Sequence, residues 1–238
     1  MEKLYTIPVQ DAFNEKCECP VCKMYESLEV NAIEFVMGPS YMEDDVRMET
    51  DKIGFCKDHI KMMYANQNRL GLALMLKTHM DKTIKDLEEL SKNDAPVKAG
   101  LFKKSTGESA VSAYINKLNG SCYVCNRIKD IFERYIETIF HMYKTDEVFR
   151  KSFAESQGFC TEHYGLLRSL APSKLSGDKL SSFTEQLDKL YIENMKRVRD
   201  DVEWFTDKFD YRNADKPWGN SKDALPRAVI KTNGIKIE

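Results

Sequence analysis

The 238-residue sequence lacks the features of membrane-bound, secreted or strongly charged proteins. Its formal net charge is only −2, which gives no long-range attraction to nucleic acid or anionic lipid. The longest uncharged apolar run, residues 70–76, is far too short to span a bilayer. The stretch from Met1 to Lys16 contains no apolar core of a secretory signal. We therefore expect a cytoplasmic protein that inserts into no membrane and has no nucleic-acid partner.

The motifs of several common enzyme classes are also missing. The chain contains no Gly-x-Ser-x-Gly, no Walker loop, no Gly-x-Gly-x-x-Gly and no His-Glu-x-x-His. His79 and His141 have no constellation of cysteines or carboxylates around them, so we expect His79 to pack between helices and His141 to be exposed. The sequence therefore disfavours a catalytic function, and an enzyme of unrecognised type is the least favoured hypothesis.

Apolar residues recur at helical spacing along most of the chain. Between Ile128 and Tyr143 they follow steps of three and four, which make one continuous stripe on a helix. The stretch from Leu187 to Phe209 has a near-heptad seam, and Leu72 to Leu90 is similar. No stretch alternates as a strand would. An all-α fold with little or no sheet is predicted.

Six of the seven cysteines and two of the four histidines form one pattern that occurs twice. Each copy has a Cys-x-x-Cys followed by a Gly-Phe-Cys-x-x-His, and the two spacings differ by one residue. Ligands at i and i+3 can reach one ion, and Cys3His is a standard set for structural zinc. We predict two Zn²⁺ per chain, one in each copy. The predicted ligands are Cys19, Cys22, Cys56 and His59, and then Cys122, Cys125, Cys160 and His163.

Other roles of paired cysteines stay open beside zinc. They include ordinary core cysteines, a redox dithiol and an iron–sulfur cluster with one histidine per site. Haem attachment is disfavoured because Lys23 and Asn126 follow the Cys-x-x-Cys pairs, where haem attachment needs histidine. Cys17 has no counterpart in the second copy, so we interpret it as a spare thiol, with a redox or ligand-swapping role as the alternative.

The repeat predicts two pseudo-equivalent units of about four helices, each clamped by one metal. The predicted helices are 20–37, 41–52, 55–66 and 69–91, and then 122–144, 146–156, 159–170 and 177–209. Pro and Gly in a polar stretch indicate a linker between the copies. The predicted domains are a first repeat at 1–95, a linker at 96–112, a second repeat at 113–209 and an extension at 210–238 that folds back on the bundle. A short helix ending near Thr232 is expected in this extension.

The extension combines cations, amides and aromatic rings in a way that suggests a binding site. Arginine can hold a carboxylate or phosphate with two hydrogen bonds, so we expect an anionic small molecule or a protein as the partner. The alternative is that Tyr211 and Trp218 only attach the extension to the bundle. The candidate site residues are Tyr211, Arg212, Asn213, Lys216, Trp218, Lys222 and Arg227.

The sequence resembles the DUF6062 family of uncharacterised bacterial proteins over nearly its whole length. The matching segments are CPVC at 19–22, GFCKDH at 54–59, NRLGLALMLKTH at 68–79, CYVC at 122–125, GFCTEH at 158–163 and WFTDKFDYRNADKPWGNSKDALPRA at 204–228. The resemblance implies a bacterial cytosolic protein of unassigned role, and it supplies no catalytic residue.

Two functional classes follow from these observations. Four protein ligands close a zinc shell and leave no position for water, so the favoured hypothesis is a non-catalytic binding or adaptor protein with two structural zinc sites. The alternative is a thiol-based redox or zinc-responsive switch, because thiolates at helix N-termini can be oxidised with release of zinc.

Overall fold

All regular structure in the part of the chain that the structure describes is helical. The computed structural model describes residues 3–93 and 109–236, and no strand occurs in these ranges. The all-α prediction is confirmed. The helices are α1 (Lys3–Asn14), α2 (Pro20–Met37), α3 (Asp44–Ile53), α4 (Lys57–Ala65), α5 (Arg69–Asn93), α6 (Ala110–Asn119), α7 (Tyr123–Thr145), α8 (Glu147–Glu155), α9 (Thr161–Lys174), α10 (Gly177–Asp207) and α11 (Ala224–Asn233). Short 3₁₀ turns lie at Pro39–Met42, Tyr211–Asn213 and Gly219–Ser221.

The eight helices predicted for the two copies all occur, with ends shifted by a few residues. Two further helices, α1 and α6, were not predicted. Helix α1 contains Pro8, and proline inside a helix is unfavourable because it lacks the backbone N–H, so the sequence pattern did not predict a helix there. Helix α6 is capped by Ser109, whose side chain accepts a hydrogen bond from the Ser112 N–H at 3.1 Å. The predicted linker therefore ends before Ala110, and its residues 96–108 lie outside the described ranges.

The chain divides into two compact units whose boundaries fall inside helices. One unit comprises Met1–Ser27 and Ile131–Glu238, and the other comprises Leu28–Asp130. Helices α2 and α7 each contribute residues to both units. This division differs from the predicted domains at 1–95 and 113–209, because the N-terminal segment packs with helices of the second half of the sequence.

An aromatic core explains why the N-terminal segment belongs with the second half. The Phe13 ring lies 4.9 Å from the ring of Phe149 and 5.6 Å from that of Phe153, both on α8. The ring of Phe153 also lies 5.5 Å from Phe159 and 5.3 Å from Phe183. Burial of aromatic rings contributes much of the free energy of core packing. The contacts of Phe13 with α8 therefore decide where the N-terminal segment packs, although α8 is distant from it in sequence.

In the other unit, α3 packs against α5 through polar contacts around Gly54. The Nδ1 atom of His79 lies 2.8 Å from the carbonyl oxygen of Asp51. Gly54 has a φ of 61°, and a Cβ there would meet the His79 ring at 2.7 Å. Only glycine combines this φ with so close an approach. His79 is thus a helix-packing residue, as predicted, and His141 is exposed, also as predicted.

None of the helices in the described ranges is both long enough and apolar enough to cross a bilayer.

Candidate metal centres

The eight predicted ligands form two clusters, but each cluster combines residues from both copies of the motif. In each cluster the ligand atoms all lie within 4.8 Å of one another. The predicted pairing within each copy is therefore wrong, while the two clusters together contain the eight residues predicted as ligands, and metal binding by them stays a prediction. The first cluster consists of Cys19, Cys22, Cys160 and His163, and the second consists of Cys56, His59, Cys122 and Cys125.

Tertiary contacts decide this crossed pairing. The Phe13 contacts described above bring the segment before Cys19 to α8 and to Phe159, which directly precedes Cys160. At the second cluster, the Tyr123 N–H donates to the Gly54 carbonyl at 2.9 Å, and the Ser121 hydroxyl donates to the Ile53 carbonyl at 2.7 Å. These bonds align the two ligand-bearing loops, and no local spacing encodes them.

Each cluster lies where two helices begin. Cys19 directly precedes α2, and the N–H of Cys22 points at the Cys19 sulfur, with 3.4 Å between nitrogen and sulfur. Cys160 is the N-cap of α9, and the N–H of His163 points at the Cys160 sulfur, with 3.4 Å between nitrogen and sulfur. In the second cluster Cys56 occupies the same position before α4. Free N–H groups and the positive helix end stabilise thiolates at these positions.

The spacing of donor atoms in the first cluster fits a tetrahedral ion. The Nδ1 atom of His163 lies 3.2 Å from the sulfurs of Cys22 and Cys160 and 3.5 Å from that of Cys19. The Cys22 and Cys160 sulfurs are 3.6 Å apart. Zinc–ligand bonds in a tetrahedron would place sulfur about 3.5 Å from nitrogen and about 3.8 Å from sulfur. The donor set and its dimensions both fit zinc.

The second cluster has similar dimensions. The Nδ1 atom of His59 lies 3.2 Å from the sulfur of Cys56 and 3.3 Å from those of Cys122 and Cys125. The Cys56 and Cys125 sulfurs are 4.0 Å apart. Each of these distances is within a few tenths of an ångström of the tetrahedral values.

An outer carboxylate distinguishes the second cluster. The other ring nitrogen of His59, Nε2, lies 3.0 Å from Glu29 Oε1. Such a carboxylate fixes which ring nitrogen faces the metal and raises the basicity of the ligand. Sequence reasoning missed Glu29, because it lies on α2, far from the ligand motif of the second cluster. His163 instead has the ring of Phe132 as a neighbour, at 5.9 Å.

Hydrogen bonds within the first cluster separate a thiolate from its protonated neighbours. Bonds with Cys19 and Cys22 hold the pKa of Cys160 far below its usual range. The bond with Cys160 raises the pKa of Cys22 correspondingly. Burial opposes the charge of His163, yet its bonds with Cys160 and Cys19 raise its pKa to about 10. The cluster therefore favours a positive charge among its sulfurs.

In the second cluster, too, the pKa of one thiol is lowered and the pKa of the histidine is raised. Burial raises the pKa of Cys122, but the hydrogen bonds with His59 and with the backbone of Cys125 and Cys56 together outweigh it, and the pKa falls to about 6. Burial lowers the pKa of His59, while bonds with Cys122 and Glu29 raise it to about 10 overall. Burial and the neighbouring Cys122 raise the pKa of Cys125 to about 12. A thiolate–imidazolium pair forms here, and a metal ion can take the place of its protons.

Cys17 belongs to neither cluster. Its sulfur lies 3.9 Å from the carbonyl oxygen of Ala12, and the residue is partly buried. Burial and the neighbouring Cys19 raise its pKa to about 11. This placement agrees with the interpretation of Cys17 as a thiol outside the ligand set.

The candidate residues of the extension do not converge on one point. Tyr211 is 86% exposed, whereas Trp218 packs with its ring centroid 6.0 Å from that of Phe205. Lys222 is exposed. The Asn213 amide donates to the Asp207 carbonyl at 2.9 Å.

Three of the predicted cations have partners inside the chain. Arg212 pairs with Asp210 at 2.6 Å, and the Lys216 ammonium donates to the Asn213 side chain at 2.7 Å. Arg227 pairs with Asp201 at 2.8 Å and with Asp223 at 3.0 Å. The pairing of Arg227 with Asp201 joins the extension to α10, which favours the alternative in which the extension is attached to the bundle, and ligand binding there stays a prediction.

A lysine that sequence reasoning missed holds the extension in place. The buried Lys208 ammonium donates to the carbonyl oxygens of Asn213, Ala214 and Lys216 at 2.6, 2.8 and 2.6 Å. It also lies 5.2 Å from the centre of the Trp218 ring. A lysine at the end of a helix gives no sequence signal for this role.

Comparison with known proteins identifies a family but no characterised relative. Neither the search of curated proteins nor the search of solved structures finds a match. The model of one family, described as a family of unknown function (DUF6062), matches residues 1–238. The resemblance noted in the sequence is thereby confirmed, and the chain belongs to the DUF6062 family.

Proposed function

We propose that this chain is a zinc-binding, non-catalytic protein of the bacterial cytoplasm, in which two structural Zn²⁺ ions stabilise a helical scaffold that binds or links partners. The observation that carries this proposal is the presence of two Cys3His clusters whose donor atoms all lie within 4.8 Å of one another.

The donor set supports zinc and a structural role. Three thiolates and one imidazole at tetrahedral spacing suit zinc, which has no preference for a more open geometry. Four protein ligands complete the shell and leave no position for a reactive water molecule. A hydrolytic role for these ions is disfavoured for that reason.

Each ion would link segments that are distant in sequence. The first cluster joins Cys19 to His163, 144 residues apart, and the second joins Cys56 to Cys125, 69 residues apart. Closing such long loops costs conformational entropy. Because the ligands gather only in the folded chain, the free energy of metal binding contributes to the free energy of folding.

A reducing compartment fits the state of the cysteines. All seven are free thiols in the structure, and six of them lie in ligand clusters. Free thiols held as metal ligands persist in the cytoplasm, where disulfides are rare.

Direct measurement of bound metal tests the proposal. Protein purified without added metal should contain two zinc equivalents by elemental analysis. Cys17→Ser provides the matched control, since this cysteine lies outside both clusters and its loss should leave two equivalents. One equivalent, none, or the absorption of an iron chromophore would contradict the proposal.

A thiol-based redox or zinc-responsive switch is the second candidate. The observation that favours it is that Cys22, Cys56 and Cys125 are only partly buried. Thiolates that reactants can approach are oxidised more readily than buried ones. Dilute peroxide should release zinc quickly and reversibly from a switch, whereas a structural protein should keep both zinc equivalents and its thiol content.

The partner of the scaffold is expected to be a protein or an anionic small molecule bound by the extension. Tyr211 and Lys222 are exposed there and offer a ring and a cation to a partner. Removal of residues 210–238 should then abolish capture of that partner while both zinc equivalents stay bound.

A further inference from the structure

The C-terminal segment Ala224–Lys236 lies against the first cluster and reaches the sulfur of Cys22. Gly234 ends α11 with a φ of 67°, and its carbonyl oxygen lies 3.9 Å from the Cys22 sulfur. A Cβ on Gly234 would stand 3.5 Å from the Cys160 sulfur and 3.8 Å from that of Cys22. The backbone at Gly234 therefore lies beside the Cys22 sulfur, and only about the width of one carbon atom separates it from the Cys160 sulfur.

A buried lysine anchors the same segment to both ligand-bearing loops. Lys231 is 1% exposed, and its ammonium donates to the carbonyl oxygen of Glu18 at 2.5 Å and to that of Gln157. Glu18 directly precedes Cys19, and Gln157 lies in the loop that leads to Cys160. One side chain thus joins the two loops whose sulfurs would bind one ion.

The buried charge of Lys231 is neutralised at the same place. Its ammonium lies 3.2 Å from the carboxylate of Glu18, which is 5% exposed. Arg197 also donates to this carboxylate, at 2.6 Å. A buried ion is tolerated only when it is paired and hydrogen-bonded, so removing one member would leave an uncompensated charge.

Two further contacts hold the segment at its middle and its end. The Thr161 hydroxyl, beside Cys160, donates to the Lys231 carbonyl oxygen at 3.1 Å. The Lys236 ammonium lies 2.5 Å from the Glu26 carboxylate on α2. The segment is therefore tied to both helices that begin at the first cluster, α2 and α9.

The second cluster has a different outer surface. Cys56 and Cys125 are both partly exposed, whereas in the first cluster Cys22 is the one ligand that is not buried. An outer partner of the second cluster is the side chain of Glu29, which lies at the imidazole of His59. This side chain does not cover the partly exposed sulfurs of Cys56 and Cys125, whereas the backbone at Gly234 lies beside the partly exposed sulfur of Cys22.

From these contacts we infer that the C-terminal segment is a cover that seals the first metal site. Metal leaves the first site slowly, while the second site exchanges its metal with the surroundings. The second site is then the one that follows zinc availability. This inference rests on the proposed zinc-binding function and assigns different roles to its two sites.

Chelator kinetics on the full chain test the inference. After elemental analysis has established two bound equivalents, a chromogenic zinc chelator is added in excess and release is followed by absorbance. Two phases of one equivalent each are expected, with the slow phase at least about tenfold slower, because the shell around a metal site controls access to it. Cys19→Ser should retain only the fast phase, and Cys122→Ser only the slow one.

Variants of the cover then identify its contribution. Deletion of residues 234–238 leaves α11 in place and should accelerate the slow phase by at least about tenfold without changing the fast phase. Lys231→Met, which keeps the full length, should do the same. Lys196→Met is the matched control, because this exposed lysine on α10 lies outside the segment and outside both ligand-bearing loops, and both phases should keep their rates.

Three results would overturn the inference. They are release of both equivalents in one phase, equal acceleration of both phases by the deletion, and unchanged slow release in both cover variants. Fewer than two bound equivalents at the start would overturn the proposed zinc function itself, and this is read before any chelator is added.

Discussion

At the scale of single residues, the two clusters differ most in what lies behind their histidines. His59 has the Glu29 carboxylate at its outer nitrogen, and His163 has the tilted ring of Phe132 as a neighbour, with 5.9 Å between ring centres. A carboxylate behind a ligand histidine orients the ring and strengthens its bond to the metal. The second site should therefore depend on a residue outside the ligand motif.

Replacing Glu29 with Gln should weaken zinc binding at the second site alone. Loss of such an outer partner typically costs about 10- to 100-fold in affinity. Competition titration with a chelator should show one weakened equivalent and one unchanged. The exposed Glu34 on the same helix provides the control, and Glu34→Gln should leave both affinities as they are. Equal weakening of both equivalents by Glu29→Gln would contradict the assignment.

Lys208 decides whether the extension stays attached to α10. Its ammonium satisfies three carbonyl oxygens that would otherwise lack this partner. Lys208→Met should lower the free energy of unfolding by about 1–3 kcal/mol, because three hydrogen bonds from a charged donor are lost. Limited proteolysis should cut the variant between residues 209 and 223 faster than the parent chain. The control is Lys196→Met, an exposed lysine earlier on α10, which should change neither measurement.

At the scale of helices, the N-termini carry the functional groups. Four helices begin at ligand residues, since the first turn provides free N–H groups and places residues three apart on one side. The periodicity of the sequence was sufficient to predict these helices. It was not sufficient for α1, because Pro8 interrupts the pattern, or for α6, because that helix is short and has no buried face.

The cap of α8 should matter more than the cap of α6. The Asp146 carboxylate accepts from the N–H groups of Val148 and Phe149 at 2.8 and 3.2 Å, and Phe149 lies in the aromatic core. Asp146→Ala should lower the free energy of unfolding by about 0.5–2 kcal/mol. Ser109→Ala, which removes the exposed cap of α6, should cost less. Chemical denaturation measures both, and a larger effect at Ser109 would refute the ranking.

At the scale of the whole molecule, the crossed pairing of the two motif copies is the main feature. Each compact unit contains a Cys-x-x-Cys from one half of the sequence and a Cys-x-x-His from the other. Helices occur in a corresponding order in the two halves, while the structural equivalence of the copies stays a prediction. The chain cannot be cut between residues 93 and 109 into two pieces that each keep a complete ligand set.

Paired cysteine variants test the crossing directly. Cys22→Ser with Cys160→Ser removes two ligands from one cluster and should cost one zinc equivalent. Cys22→Ser with Cys56→Ser removes one ligand from each cluster and should cost both. The two variants lose the same number of cysteines, so each is the control of the other. Elemental analysis would contradict the crossed pairing if the result were reversed.

From the sequence alone one could predict the helical class, the eight helices of the two copies, the short helix of the extension and the eight residues of the two clusters, because these depend on spacings within a few residues. Residues at i and i+3 in a first turn lie on one side wherever that helix is placed. Tertiary structure alone decided which Cys-x-x-Cys meets which Cys-x-x-His. It also decided the outer role of Glu29 and the attachment of the extension through Lys208 and Lys231. These features depend on which apolar faces bury each other, and the burial of Phe13 against α8 outweighs closeness along the chain.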